Sequence, residues 1–139
     1  MKQIKYFIPS IILMIIIFMF SNQNSSESSQ MSNSLLLWIQ NVLHIPFTEF
    51  IVRKLAHMSE YALLCLTFIY GFYKNKLSIK NTLLLSIGCS FLYACSDEIH
   101  QLFISGRACQ FTDVLIDTSG AIIMCLFFYL LTKKVYHSR

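Results

Sequence analysis

The chain has 139 residues, of which 55 % are hydrophobic and only 13 % charged, with a net charge of +4. A soluble domain carries roughly 25 % charged residues, so a water-soluble globule is excluded and one small membrane domain over 1–139 is expected. The charge does not imply a nucleic-acid partner, because no basic stripe with interleaved aromatics lies on a soluble face.

The first apolar run is Tyr6 to Phe20, after Lys2 and Lys5. No small-residue cleavage site follows it, so an uncleaved transmembrane helix over about residues 4–21 is preferred to a signal peptide. It is short for a hydrocarbon core that needs about 20 residues, and its lysines are expected to snorkel. Residues 21–34 are rich in Ser and Asn and read as a flexible loop. Leu35 to Leu43, with Trp38, is too short to span and reads as an amphipathic segment lying on the membrane surface, ended by Pro46. Three further spans are expected over about 50–73, 81–103 and 112–131, with Ser105-Gly106 marking a turn between the last two. The fold class is therefore all-α, an integral membrane four-helix bundle.

Orientation follows from the basic residues. Lys2 and Lys5, then Lys74, Lys76 and Lys80, then Lys133, Lys134 and Arg139 fall at three points that a four-span topology places on one side. The positive-inside rule makes that side cytoplasmic, giving a multi-pass cell-membrane protein with both termini inside. All seven acids, Glu27, Glu49, Glu60, Asp97, Glu98, Asp113 and Asp117, then fall toward the outer side.

Five of these acids lie on or beside apolar helices, interleaved with Arg53, Lys54, His57, His100 and Arg107. Ionisable groups are expensive in such segments and mark function when they converge. Arg53, His57, Glu60 and Tyr61 are spaced i, i+4, i+7, i+8 and share one helical face. Asp97, His100 and Gln101 share another, and Ser86, Ser90 and Ala94 form a small-residue stripe that leads into it and turns it toward the bundle. Asp113, Asp117 and Gly120 repeat the pattern on the last span. At 1.5 Å per residue, Glu60, Asp97 and Asp117 each lie roughly 10 Å from the outer end of their helix, so three helices bring polar groups to one layer.

Structural roles compete for several of these residues. Asp113 lies in a first helical turn, where negative charge is favoured. Asp97 and His100 could simply pair with Arg53 or Lys54. Asp117, one turn deeper than Asp113, reads as functional or as a partner for Arg107. Glu98 points away from His100 and is expected at the rim or behind the site. Six or more ionisable groups exceed what packing requires, because buried ion pairs are a poor source of stability. The five cysteines show no metal-finger or redox spacing, and Cys65, Cys89 and Cys125 read as small packing residues.

The run Lys54-Leu55-Ala56-His57 with Tyr61, the block Asp97-Glu98-Ile99-His100-Gln101-Leu102-Phe103, the pair Gly106-Arg107, and Asp113 with Gly120 resemble the signature of the VanZ-like family. That family is named for a membrane protein associated with low-level teicoplanin resistance. The resemblance covers about residues 50–125, and Ser21 to Gln23 is a weaker match. Ser105 stands where many members carry proline, a departure in loop stiffness. The resemblance implies a phenotype class, glycopeptide tolerance, more than a mechanism.

Three functions fit these residues. In the first, Arg53, Lys54 and Arg107 hold an anionic envelope lipid or lipid-linked precursor entering laterally from the bilayer, with Tyr61, Gln101 and Asp113 beside it. His57 or His100 would move protons, oriented by Glu60, Asp97 or Asp117. In the second, His57 with Glu60 and Asp97 with His100 hold Zn or another divalent metal for hydrolysis, as facing helices in bundles do. The third is a non-enzymatic binding or partner protein using the surface around Trp38. A transporter fits less well, since no broken helix pair is evident and the acids cluster at one end.

Overall fold

The computed structural model describes residues 3–44 and 46–137. Lys2 and Arg139, two of the basic residues used for orientation, lie outside the described residues. The described chain forms five α-helices: α1 (Ile8–Ser21, entered by a 3-10 turn Ile4–Phe7), α2 (Ser25–Leu43), α3 (Glu49–Lys74), α4 (Ile79–Gln101) and α5 (Phe111–His137). Four segments are long and apolar enough to cross a membrane: Ile4–Ser21, Glu49–Lys74, Ile79–Gln101 and Phe111–Lys134. These are the four expected spans, each within a few residues of its expected bounds.

The stretch 25–34 is a correction. It is not a flexible loop but the first half of α2, continuous with the Trp38 segment. A reciprocal cap explains it. Glu27 N donates to Asn24 Oδ1 at 2.9 Å, and Asn24 N donates to the Glu27 carboxylate at 3.0 Å. This satisfies two of the amide donors that a helix start otherwise leaves open. Ser28 and Ser32, one turn apart, are buried on the same face, so tertiary packing holds a sequence of modest helix propensity. α2 ends at His44, whose positive φ of 56° makes the left-handed exit before Pro46.

The central helix is α3, which packs against each of the other four. Its core residues Tyr61, Leu64 and Phe68 meet Ile17, Ala94 and Val114, and below them Cys65 and Ile69 meet Ala121 and Cys125. The stripe Ser86, Ser90 and Ala94 is fully buried, as expected, and Thr82 extends it one turn. These small side chains let α4 sit close to its neighbours. The outer surface is apolar, with Ile12, Ile15, Leu92, Leu126, Phe127 and Leu130 exposed.

Contacts place the lysine-rich turns at one end. Gln3 N donates to Asn75 Oδ1 at 2.7 Å, and the Phe7 and Phe72 rings meet edge-on at 5.0 Å. The start of α1 therefore lies beside the α3–α4 turn. The opposite end gathers the starts of α2, α3 and α5, the end of α4 and the acidic residues. All five cysteines are free, with Cys65 and Cys125 Sγ atoms 3.4 Å apart.

Candidate functional site

At the acidic end, α3 presents Arg53, His57 and Glu60 on one face, with Tyr61 completely buried behind them. From α4, Asp97 and Gln101 turn inward, each only 4 % exposed, and Gln101 Nε2 donates to Asp97 Oδ2 at 3.3 Å. From α5 come Asp113 at the rim and Asp117, fully buried one turn deeper. The helical spacing thus brings three faces together.

Close helix approach makes this possible. Gly120 of α5 lies so near the Met58 carbonyl of α3 that a Cβ there would collide with it. One turn before this contact, Asp117 Oδ1 stands 3.9 Å from His57 Nδ1. Lys54 pairs instead with Asp113, Nζ to Oδ1 at 2.5 Å. Neither Asp97 with Lys54 nor Asp117 with Arg107 forms the structural pair that the sequence left open.

The connector between α4 and α5 carries Arg107 over the site. Gly106 takes a φ of 74°, which favours glycine, and its α-carbon faces Ser25 so closely that a Cβ would meet the Ser25 Cβ at 3.0 Å. Ser25 N donates to Ser105 O at 3.3 Å, tying the start of α2 to this turn. Glu98 is the third fixture. It is 1 % exposed and accepts from Gln110 N at 2.8 Å. Of the two positions open to Glu98, the rim and behind the site, the structure takes the second: it is buried beneath the connector, which supplies the amide that a helical wheel cannot show.

Two adjoining clefts result. The inner one, about 410 Å³, is lined by Arg53, His57, Glu60, Asp97 and Arg107 on its polar side and by Ile17, Phe20 and Met31 on its apolar side. The outer one, about 610 Å³, is lined by Lys54, Gln101, Gln110 and Asp113 among others. Arg53, His57, Arg107 and Ser28 line both, so the two are compartments of one site.

Arginine is the unspent charge here. Among the described residues no carboxylate lies within ion-pair distance of Arg53 or Arg107. Partial burial presses the Arg107 guanidinium pKa down, with Asp97 opposing, yet an arginine keeps its charge. Several polar atoms facing this region are buried without a hydrogen-bond partner, among them His57 Nδ1, Tyr61 OH, Asp97 Oδ1, both Asp117 oxygens and Ser21 Oγ. Such atoms are uncommon in native interiors, and each calls for a partner such as water, an ion or a bound group.

His100 stands apart. Its ring lies against Phe18 of α1, centroids 4.6 Å apart, and it lines neither cleft. Tyr61 also lies behind the cleft walls, its ring near Tyr93 at 6.2 Å. The remaining expected residues, Arg53, Lys54, His57, Glu60, Asp97, Gln101, Arg107 and Asp113, line the clefts, and Asp117 backs His57. Ser21 entered only with the weaker Ser21 to Gln23 match, and Ser28 and Ser32 were not singled out by sequence. Their only signal is spacing, four residues between Ser28 and Ser32 on α2, and a loop reading hides it.

A metal centre is not built by these side chains. Among the described residues no three His, Cys, Asp or Glu groups are placed to share an ion. The reason is geometric: His57 faces Asp117 while His100 turns to Phe18, so the two i, i+3 pairs do not converge.

No curated protein and no solved structure matches the chain. The sequence profile of the VanZ/LLP1 family matches residues 6–132, from the first span to the last. With four spanning-capable helices and the polar cluster in place, this chain belongs to the VanZ/LLP1 family and is a VanZ-like membrane protein.

Proposed function

We propose that the cleft binds the anionic head group of an envelope lipid or lipid-linked precursor, and that this underlies a role in glycopeptide tolerance. The observation that carries the reading is the pair Arg53 and Arg107. Both line a cleft whose other wall is apolar, and neither has a carboxylate partner. Two planar guanidinium groups suit a phosphate or carboxylate, and Ile17, Phe20 and Met31 offer its hydrocarbon a way out between α1 and α2. Lys54, held by Asp113, and Gln101, held against Asp97, shape the mouth.

His57 is the proton carrier in this reading, with the Asp117 carboxylate facing its Nδ1 at 3.9 Å. Glu60 and Asp97 complete the inner wall. His100 serves the packing of α1 on α4. The lysine-rich end is cytoplasmic by charge bias, so the cleft opens outward, and α2 lies along the outer surface with Met31, Leu35, Trp38 and Val42 toward lipid. The spacing of these four exposed residues, i, i+4, i+7, i+11, supports that placement.

The test is teicoplanin susceptibility of a sensitive Gram-positive host expressing wild type, Arg107→Gln or His57→Ala at matched membrane levels. Protection by wild type, lost in Arg107→Gln, supports the reading. Equal protection by wild type and Arg107→Gln overturns the clamp. Loss in Arg107→Gln with retention in His57→Ala makes the protein a binder without proton chemistry.

A further inference from the structure

We infer that the head group taken by this cleft carries a primary ammonium as well as its phosphate: a zwitterionic, phosphatidylethanolamine-like amphiphile. The inference rests on the anion-binding reading above and concerns the other half of the same cleft.

The site is layered by charge. Arg53 and Arg107 line both compartments, and Lys54 at the mouth is already matched by Asp113. The inner compartment adds two carboxylates, Glu60 and Asp97. Neither has a cationic partner within ion-pair distance among the described residues. Asp97 is 4 % exposed, lines the cleft and leaves Oδ1 without a hydrogen-bond partner.

A phosphate alone satisfies the arginines and leaves both acids uncompensated on the wall, with another anion brought beside them. Like charges in a poorly solvated site repel strongly. An ammonium attached to the phosphate by a short linker removes that cost. It brings three N–H donors to a wall that offers Glu60 and Asp97 Oδ1, with the Ser21 hydroxyl close to Asp97. A quaternary ammonium has no N–H to give these acceptors, and the wall lacks the aromatic cage that such groups favour, with Phe20 the one Phe, Tyr or Trp ring lining it. A primary amine is therefore selected over choline.

The experiment uses the purified full chain in detergent with dihexanoyl phosphatidylethanolamine, phosphatidylcholine and phosphatidylglycerol, with affinities measured by calorimetry. Wild type is expected to bind the ethanolamine lipid about tenfold more tightly than either other, a difference of about 1.4 kcal/mol. Glu60→Gln, at the less buried position, is expected to erase that preference by weakening the ethanolamine lipid, while phosphatidylglycerol binding is kept or tightens because a repelling carboxylate is gone; its retention also reports that the fold is intact. Asp97→Asn is the second variant, with the same expected loss. Arg107→Gln weakens all three lipids. Equal wild-type binding of the three, or an equal effect of Glu60→Gln on all, overturns the ammonium subsite while Arg107 dependence leaves the phosphate reading standing. Binding indifferent to Arg107→Gln, or no binding of any lipid, overturns both.

Discussion

His57 Nδ1 faces Asp117 Oδ1 at 3.9 Å across the α3–α5 interface, and the neighbouring Gly120 sets that distance by letting α5 rest on the Met58 carbonyl. A methyl group at Gly120 has to push two backbones apart. Gly120→Ala is therefore expected to destabilise the protein by about 1–3 kcal/mol, the usual range for overpacking a tight contact. It should lower the detergent melting temperature and abolish function along with it. Gly88→Ala is the control, because nothing lies within 4 Å of a Cβ there. Its melting temperature should stay the same or rise slightly.

The two histidines separate cleanly in this fold. His57 lines both compartments, while the His100 ring lies tilted against Phe18 outside them. His57→Ala is expected to remove the protective phenotype at unchanged membrane level. His100→Ala should keep it, with a modest loss of thermal stability. Susceptibility ratios and immunoblots of membrane fractions read both, and the reverse pattern would move the proton role to His100.

Asp97→Asn keeps shape and the bond from Gln101 but removes the charge. Function should fall without emptying the membrane of protein. Wild-type activity in this variant at matched levels would remove Asp97 from the site.

Sidedness has a native probe. Cys109 is free and exposed in the α4–α5 connector, whereas Cys65 and Cys125 are buried. A membrane-impermeant maleimide is expected to label intact cells at Cys109, and Cys109→Ser should abolish the signal. Labelling that requires permeabilised cells would invert the topology, as would a cytoplasmic reporter signal from fusions within residues 24–46.

The cap of α2 gives a local prediction. Asn24→Ala removes a reciprocal cap worth about 1 kcal/mol. Amide exchange over residues 25–30 should accelerate, roughly fivefold, while α3 exchange stays unchanged. Uniform acceleration would mean that α2 and the bundle open as one unit.

The four spans and the inward turn of the acidic cluster were legible in the sequence by itself. Apolar runs of bilayer length leave few alternatives, and i, i+4 spacing fixes which side chains share a helical face wherever that helix packs. The Ser86, Ser90, Ala94 stripe identified the buried face for the same local reason. Only the tertiary structure decided which partner each polar group meets. Lys54 goes to Asp113, His57 to Asp117 and Glu98 to the Gln110 amide, because helix rotation and the path of the α4–α5 connector set distances that no single helix encodes. The same holds for α2. Its Ser-rich start has little tendency to hold a helix alone, and it becomes one where Ser28 and Ser32 find a bundle to pack against.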